Sequence, residues 1–562
     1  MATKAAAPKT NGDAAKATMD VLSSKLTRQL AVNMHACVHC GLCFDSCHYY
    51  LSIGDPKLTP AYKAEQFRSI YKRKYDWTGR LFPWWVKAKQ PTEEQLDNLY
   101  DAAFGSCTMC RRCNFSCPMG IDMGLLMRTA RSILTAQGRV PPGLQETVDI
   151  HLATGNNMGI SKEDFIETVE WMEEEVQKAV GDPDFKIPLD KPGVKKLMCF
   201  NPREVKFYPL LFLAQYKTAY AAGDEWGICS DAWDATNYAL FNGDDAAAKQ
   251  ITSRLVDSAA NLGAETLVLT ECGHGYRVNR WEAQGWYGKP LPVNMLSYNE
   301  ITAEYLRTGR IKLDPTKNPE PVTYHDPCNQ ARSGGLQEEP RYLLRQAVMD
   351  FREMTPHGVE NFCCGGGGGA LTMAEFRERR LAAGKVKADE IRATGARIVV
   401  TSCHNCIDQI TELSRHYDLG VKVQNVCEIV ANALVIEPRE ALAGAVVGEE
   451  AVEVDERGYL KVPSQWSREA AQFLARQQGF GGALDQLTND HWAAIFFIRS
   501  FYDRTGSAPK REEVCTGLGF TKKQFYGLFP GTYRTALRVA GMPSSQDIAE
   551  PVEEKAEQPA VQ

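Results

Sequence analysis

The sequence lacks both a long apolar run and an excess of positive charge. No apolar stretch approaches the roughly 20 residues that a membrane-spanning helix needs, and residues 1–19 contain no apolar segment of the kind found in secretory signals. Lys and Arg number 64 against 70 Asp and Glu, a net charge of −6, which disfavours a large nucleic-acid-binding surface. We therefore expect contact with a membrane only through a partner.

Cysteine, in contrast, is abundant. The 562-residue chain, long enough for three or four domains, carries 18 cysteines. Most of them fall into C-x-x-C clusters, which in a chain of this length indicate metal binding rather than a disulfide scaffold. The composition therefore predicts a metalloprotein of a reducing compartment.

Two runs near the N-terminus share the spacing C-x2-C-x2-C-x3-C. In bacterial ferredoxins such a run supplies three thiolates to one [4Fe-4S] cube, while its fourth cysteine binds the other cube. Two complete runs predict two cubane [4Fe-4S] clusters, and the doubled match disfavours zinc or free thiols. The ligands predicted are Cys37, Cys40, Cys43, Cys47, Cys107, Cys110, Cys113 and Cys117.

Two departures accompany these runs. His48 stands where a proline usually follows the last cysteine, which alters the turn but removes no ligand. The segment between the runs carries Trp77, Trp84 and Trp85. These aromatic residues are either packing residues or a docking surface for a membrane partner.

A second cysteine set follows the middle of the chain. The adjacent pair Cys363 and Cys364 precedes five glycines at 365–369, and a glycine run lets the backbone approach a bulky group closely. Zinc usually takes two C-x-x-C pairs, which a vicinal pair fits poorly. The pattern instead predicts an iron–sulfur cluster with an unusual ligand count, held by Cys328, Cys363, Cys364, Cys403 and Cys406.

Short apolar runs alternate with helical patterns between residues 191 and 434. This alternation predicts an α/β region with parallel sheet, in which the ligand cysteines follow strand ends. The helical patterns cover 246–262, 341–351 and 374–394, and Cys427 is interpreted as a core thiol.

The first half of this region resembles an incomplete copy of the second. It has Cys199, Cys229 and Cys272 where five cysteines are expected. Either these are buried thiols of a decayed site, or Cys229, Cys272 and His274 form a residual pocket facing the complete site. In the second case Cys272 would take part in catalysis and His274 would act as a proton donor.

The pattern Cys328…Cys363-Cys364-Gly365…Cys403-x-x-Cys406 resembles the CCG domain of heterodisulfide reductases. The resemblance implies that these cysteines hold a noncubane [4Fe-4S] cluster that cleaves an S–S bond. The stretches 199–207 and 233–237, together with Glu271-Cys272-Gly273-His274, resemble the DsrK family of the Dsr membrane complexes, and the resemblance extends over residues 37–434. That resemblance implies a haem-b membrane subunit of the DsrM type and other Dsr subunits as partners, a DsrC-type protein as substrate, and a cytoplasmic location, peripheral to the inner face of the membrane.

Residues 452–543 resemble the DsrC/TusE family of small sulfur-carrier proteins. That family carries its chemistry on two cysteines of a C-terminal arm, but Leu537 replaces the first and residues 544–562 contain no cysteine. Cys515 lies elsewhere. The segment therefore cannot carry sulfur in the family's way. It is either a structural or regulatory module, or a guide for a free DsrC-like substrate.

The predicted fold class is a multidomain α/β and α protein. Residues 1–20 are predicted as a disordered tail, 21–140 as a helical ferredoxin-like domain with two [4Fe-4S] clusters, and 141–190 as a helical linker. The α/β CCG domain pair spans 191–438. A linker at 439–451, an all-α-rich DsrC/TusE-like domain at 452–543 and a disordered acidic tail at 544–562 complete the chain.

The predicted function is that of an oxidoreductase acting on sulfur groups. Its clusters would exchange electrons between a quinone/haem-b partner and a protein disulfide or trisulfide in dissimilatory sulfur metabolism, in either direction. One alternative is the iron–sulfur subunit of a lactate-, glycolate- or glycerol-3-phosphate-type dehydrogenase; the carrier-like C-terminal segment argues against it. The other is a non-catalytic electron conduit.

Overall fold

The computed structural model describes residues 11–270, 272–436, 454–455, 457–462, 465–478, 487–529 and 533–543. The chain divides into two compact units, one of Met1–Leu306 with Ile311–Pro438 and one of Arg307–Arg310 with Arg439–Gln562. The linker predicted at 141–190 and the boundary predicted at residue 191 thus lie inside the first unit. No helix of the described residues is both long and apolar enough to cross a bilayer.

The first unit begins with a helical region that surrounds both ferredoxin-type cysteine runs. Its core contains fully buried Phe67, Leu126 and Ile133. Many helices start at a Thr, Ser or Asp whose side chain accepts a backbone N–H, as Thr59 does from Tyr62. The helices are α1 Asn11–Lys25, α2 Arg28–His35, α3 His48–Ile53, α4 Pro60–Tyr75, α5 Trp77–Leu81, α6 Glu93–Tyr100, α7 Arg112–Phe115, α8 Met123–Thr135, α9 Pro142–Thr154 and α10 Lys162–Val180.

Helix α1 overturns part of the predicted N-terminal tail. Residues 11–20 are helical rather than disordered. Ala14, Thr18 and Leu22 recur every four residues and are fully buried, so one face of α1 packs into the core. Residues 1–10 lie outside the described residues. The apolar spacing of residues 123–136 and 162–180 predicts a helix in each stretch, and the structure confirms them as α8 and α10.

A four-stranded parallel sheet follows, in the order β2-β1-β3-β4. Its strands are β1 Lys196–Cys199, β2 Trp226–Ile228, β3 Thr266–Leu269 and β4 Asn294–Ser297. Helices cover it and bury its apolar strands on both faces, as parallel sheets require. These helices are α11 Pro202–Phe207, α12 Leu210–Ala221, α13 Ala239–Asn242, α14 Asp245–Asn261, α15 Gly273–Arg277, α16 Ala283–Tyr287 and α17 Tyr298–Arg307.

A second parallel sheet repeats the arrangement in the order β6-β5-β7-β8. Its strands are β5 Val322–Tyr324, β6 Phe351–Arg352, β7 Ile398–Val400 and β8 Lys422–Gln424. Its helices are α18 Glu338–Ala347, α19 Arg377–Ala383, α20 Lys385–Thr394, α21 His404–His416 and α22 Val426–Ala433. The predicted α/β region is therefore a pair of small sheets with the same strand order.

Two helix predictions in this half are wrong in extent. The helix predicted over 341–351 ends at Ala347, because Val348 is extended and the chain enters β6. The helix predicted over 374–394 is split at Gly384, where an added Cβ would lie 2.4 Å from the Leu413 side chain. The glycine thus allows close packing of α19 and α20 against α21.

The second unit is helical, as predicted for residues 452–543. Its helices are α23 Arg468–Gln477, α24 Asn489–Thr505, α25 Arg511–Leu518, α26 Lys522–Leu528 and α27 Tyr533–Val539. Leu537 is fully buried in its core with Leu474 and Ile498, and burial raises the pKa of the half-buried Cys515 thiol. The linker predicted at 439–451 and the tail predicted at 544–562 lie outside the described residues.

Candidate metal centres

One cavity in the helical region collects four cysteines from both runs. It is lined by Cys47, Cys107, Cys110 and Cys113, which we call the inner set. Met109 and Arg111 adopt left-handed φ values of 52° and 61°, and these turns fold the second run around the cavity. The fourth cysteine of the first run thus joins the first three of the second, as ferredoxin spacing predicts.

The remaining four cysteines, the outer set, are Cys37, Cys40, Cys43 and Cys117. Burial, with smaller contributions from the neighbouring Cys37 and Cys117, raises the pKa of Cys43 to about 11. Cys40 is exposed, whereas the other members are half-buried. The outer set therefore lies closer to solvent than the inner set, where burial also raises the pKa of Cys113.

Two buried cations test whether the inner set fits an anionic group. The Lys63 ammonium lies 3.4 Å from the Cys47 sulfur, and Lys63 is 2% exposed. Arg131 is fully buried and donates to the Cys107 carbonyl at 2.6 Å. Neither pairs with a carboxylate of the described residues, although an unpaired buried charge is costly. Both cations suit a negatively charged thiolate-ligated cluster.

The five cysteines of the second sheet meet at one buried site. The sulfurs of Cys364 and Cys406 are 3.5 Å apart, and the neighbouring Cys110 and Cys328 thiols lower the pKa of Cys363. Hydrogen bonds from Cys363 and Cys406 hold the pKa of Cys364 well below its usual value. The thiolate is the metal-binding form, so the donor chemistry fits an iron–sulfur cluster.

The glycine run closes one side of this five-cysteine site. The Gly365 and Gly366 amides donate to the sulfurs of Cys363 and Cys364 at 3.3 and 3.4 Å. An added Cβ at Gly366 would lie 2.7 Å from the Asn405 carbonyl, and one at Gly368 would lie 2.6 Å from the Thr108 carbonyl. Only glycine allows these backbone approaches, which explains the run.

The inner set and the five-cysteine site touch each other. The sulfurs of Cys110 and Cys363 lie within 4.8 Å of each other, and the interaction of the two thiols raises the pKa of Cys110 to about 11. The Thr108 hydroxyl lies 3.4 Å from the Cys363 sulfur. A nitrogen of buried His48 lies within 4.8 Å of both the Cys110 and Cys363 sulfurs. The unusual residue after Cys47 thus stands between the two sites.

Part of the incomplete half also reaches the five-cysteine site. His274 lines the same cavity as Cys364, Cys403 and Cys406, and its Nδ1 lies 3.3 Å from the Cys272 sulfur. Its Nε2 is buried without a hydrogen-bond partner among the described residues. Burial lowers the pKa of His274 to about 3, so the imidazole is neutral near pH 7.

The other two cysteines of that half are directed elsewhere. Cys199 and Cys229 pack in an apolar cluster with Ala232 and Leu255 and do not line the five-cysteine cavity. The structure thus brings His274 to the complete site, with Cys272 in contact with its Nδ1, and leaves Cys199 and Cys229 in the core. Cys427 is fully buried in α22, as a core thiol should be.

Several residues of the site were missed by sequence reasoning. His325 lies within 4.8 Å of the Cys364 and Cys406 ligand atoms, and burial holds its pKa well below the usual value. His404 Nε2 lies 3.0 Å from Glu204 Oε1, and both side chains are fully buried. His404 follows Cys403 directly and His325 lies three positions before Cys328, a usable signal. Glu204 lies 200 positions away from its partner and has no such signal.

A buried ion pair holds the loops that carry the five cysteines. Arg341 Nη2 lies 2.6 Å from Asp326 Oδ2, and both side chains are at most 3% exposed. Asp326 also accepts the Gly358 amide at 2.7 Å, while its carbonyl accepts Asn361 Nδ2 at 2.9 Å. The carboxylate therefore fixes the segment before Cys328 to the segment before Cys363.

Three family models match the chain in the predicted order. The 4Fe-4S dicluster domain matches residues 33–121, the cysteine-rich CCG domain matches 322–411, and the DsrC-like protein family matches 446–547. The first match contains both ferredoxin-type runs, and the second contains all five cysteines of the second sheet.

Similar proteins cover most of the chain. An Hdr-like menaquinol oxidoreductase iron–sulfur subunit 2 of Archaeoglobus fulgidus is 29% identical over 73% of this chain and 81% of its own length. A subunit of the dihydromethanophenazine:CoB–CoM heterodisulfide reductase of Methanosarcina barkeri is 26% identical over 75% and 98%, respectively. The chain is a homologue of these Hdr-like iron–sulfur subunits. The Hdr-like relatives indicate an oxidoreductase, and the matched domains are iron–sulfur domains.

Proposed function

We propose that this chain transfers electrons between a membrane partner and the S–S bond of a protein substrate. The inner and outer sets would each hold a cubane [4Fe-4S] cluster, and the five-cysteine site would hold a noncubane [4Fe-4S] cluster. The observation that carries the proposal is the contact of Cys110 with Cys363, which joins a ferredoxin-type site to a site of different ligand count.

The residues of the chain have distinct tasks in this proposal. When bound, the clusters supply one-electron redox chemistry and, at the five-cysteine site, iron that can bind substrate sulfur. Lys63 and Arg131 offset the negative charge at the inner set, because both are buried cations beside its sulfurs or carbonyls. Thr108 and His48 fill the space between Cys110 and Cys363 and exclude water from it.

At the five-cysteine site, His274 is placed to meet a substrate sulfur. His274 lines the cavity, and its Nε2 is buried without a partner among the described residues. As a neutral imidazole it would donate an N–H hydrogen bond rather than act as an imidazolium acid. Cys272 would position this ring through its 3.3 Å contact with Nδ1.

The proposed reaction cleaves or forms one S–S bond. Reduction of a disulfide consumes two electrons and two protons and yields two thiols; oxidation releases the same. The proposed substrate is a DsrC-type protein disulfide or trisulfide, and the proposed electron partner is a haem-b subunit of the DsrM type in a Dsr-like complex. The DsrC-like segment at 446–547 supports sulfur chemistry over the dehydrogenase alternative.

The deciding experiment combines iron content with electron paramagnetic resonance (EPR). Three clusters of four irons require about 12 irons per chain, whereas two cubanes alone require about 8. The oxidised protein should develop a new EPR signal on incubation with a DsrC-type thiol. Cys363→Ser should lose that signal and disulfide turnover while both cubane signals remain. Cys427→Ser alters a buried thiol of the core and should retain the signal, the turnover and both cubane signals. About 8 irons in the unaltered chain would refute the proposal.

A further inference from the structure

Five large apolar side chains are exposed together between the two ferredoxin-type runs. We call residues 77–89 the aromatic segment. Trp77, Trp84 and Trp85 are 63%, 75% and 72% exposed, and Leu81 and Phe82 are 63% and 40% exposed. A single exposed apolar residue is ordinary, but a contiguous group of this size marks an interaction surface.

The segment is held firmly in this exposed arrangement. Asp76 caps α5 by accepting the Thr78 amide at 2.9 Å, and the Lys89 amide donates to the Ser69 carbonyl at 2.9 Å. A Cβ at Gly79 would lie 2.2 Å from the Lys72 carbonyl, so α5 lies directly against α4. The exposed rings are therefore displayed by a fixed backbone.

The charge of this surface is opposite to that of the chain. The whole chain carries −6, but residues 73–89 contain five basic side chains and only one acid, Asp76. The basic residues are Arg73, Lys74, Arg80, Lys87 and Lys89. Arg80, Lys87 and Lys89 are exposed beside the rings, while Asp76 is occupied by its capping bonds to Thr78.

The aromatic segment also follows a helix that packs against α2, the helix preceding the outer cysteine set. It continues from α4, whose Tyr71 ring packs against His35 with centroids 5.4 Å apart. His35 ends α2, two residues before Cys37. A surface that holds the aromatic segment therefore also lies near the outer set, the more exposed of the two cubane candidates.

We propose that the aromatic segment binds directly to the interfacial layer of an anionic phospholipid membrane. Trp rings favour the headgroup level of a bilayer, where an apolar body and a polar N–H are both accommodated. Neighbouring Lys and Arg side chains meet lipid phosphates. The centre of a protein–protein interface is instead depleted in Lys, whereas Lys87 and Lys89 directly follow the exposed tryptophans. The proposal is independent of the disulfide chemistry.

The test uses the full chain with its clusters and protein-free vesicles. One preparation contains phosphatidylcholine alone, and the other contains equal parts of phosphatidylcholine and phosphatidylglycerol. We expect the chain to co-sediment with the anionic vesicles and to dissociate at high salt. Brominated lipids should quench part of its tryptophan fluorescence, because the rings enter the bilayer interface.

Two variants locate the contact. Trp77→Ser/Trp84→Ser/Trp85→Ser should weaken binding to anionic vesicles by about tenfold or more, since the apolar contact is lost. Lys87→Gln/Lys89→Gln should weaken it by about 25-fold, at about fivefold for each charge. Trp171→Ser/Trp281→Ser removes two rings that are 48% and 58% exposed elsewhere and should change binding less than twofold.

Iron content and disulfide turnover, measured on the same samples, report the proposed function separately. If the unaltered chain binds neither vesicle, or if both segment variants bind as it does, the proposal is wrong. Binding only to vesicles that contain a membrane subunit would assign the surface to a protein partner and would equally overturn it. Should the tryptophan variant lose iron, the lysine variant and the quenching experiment still decide the question.

Discussion

Each half of the cysteine-rich region is built on four parallel strands in the same order. In each half the third strand is followed by a cysteine that precedes a helix, Cys272 before α15 and Cys403 before α21. Cys272 accepts the Gly275 amide at 3.4 Å and so caps its helix. Cys403 makes no such cap and faces the five-cysteine cavity.

The position three residues further along the helix sharpens the difference. It is Cys406 in the second half and Gly275 in the first. A Cβ at Gly275 would lie 3.0 Å from the Ala235 carbonyl, so a cysteine there needs a shift of the neighbouring loop. The incomplete half therefore has the same scaffold as the complete metal site but lacks the space for a cysteine at this position.

The loops after the second strands differ in the same way. The loop after β6 carries Cys363 and Cys364, whereas the loop after β2 carries Cys229 and Asp234. Asp234 accepts the amides of Asn157 and Thr236 at 2.8 and 2.7 Å. A buried carboxylate thus organises the loop that in the other half presents thiols.

The largest expected contrast is between Cys403→Ser and Cys272→Ser. Serine caps helices well, so both variants should fold. Cys403→Ser should reduce iron from about 12 to about 8 per chain and abolish disulfide turnover, whereas Cys272→Ser should retain all its iron and most turnover. Iron analysis and turnover assays provide the measurement. Equal iron loss in both variants would show that the first half supplies a ligand to the cluster.

The next contrast concerns Arg341, whose ion pair with Asp326 holds the loops of the complete half only. Arg341→Met would leave Asp326 as an unpaired buried charge, which costs about 3–5 kcal/mol of unfolding free energy. Arg345→Met, at a side chain 54% exposed, should cost less than about 0.5 kcal/mol. Apparent thermal midpoints at a fixed scan rate, followed by cluster absorbance, compare the two. Similar midpoints would show that this ion pair does not hold the loops.

A pH dependence distinguishes the incomplete half. Burial raises the pKa of Asp234 to about 7, above its unfolded value, so its stabilising contribution is present below about pH 4 and is lost as the pH rises through 7. As the pH rises over this range, the free energy of unfolding of the unaltered chain should fall by up to about 4 kcal/mol relative to that of Asp234→Asn. Thermal midpoints at several pH values test this. If the thermal midpoints of the two proteins change in parallel with pH, the prediction for Asp234 is wrong.

The smallest expected effect is that of His274→Gln. The substitution should lower disulfide turnover by about three- to tenfold, the value of one hydrogen bond to the substrate. Iron content and the cubane EPR signals should not change. If turnover is unaltered, the first half contributes no group to catalysis.

Much of this arrangement could be predicted from the sequence. Ligand spacing identified the cysteine runs, and strand–helix alternation identified the α/β region, because both signals are local. The prediction of a disordered N-terminal tail was wrong for residues 11–20. Ala14 and Leu22 lie on an apolar face of α1, and a face of so few residues does not show in the composition of the segment. Helix limits near Ala347 and Gly384 depended on tertiary contacts.

The surroundings of the sites were harder to predict. Lys63, Arg131 and Glu204 act through distant segments, and nothing in their local sequence marks them as buried. The contact of Cys110 with Cys363 likewise joins two motifs that are separated by more than half of the chain's first unit. Cysteine spacing gives the members of each site, whereas the distance between sites depends on the fold.

The burial of Leu537 limits the chemistry that the C-terminal unit can perform at this position. The resemblance to sulfur carriers places a reactive thiol at this position, yet Leu537 is fully buried beside Leu474 and Ile498. A cysteine restored there would leave a cavity and would be shielded from any partner. A single substitution of Leu537 by cysteine is therefore not expected to give this unit carrier chemistry.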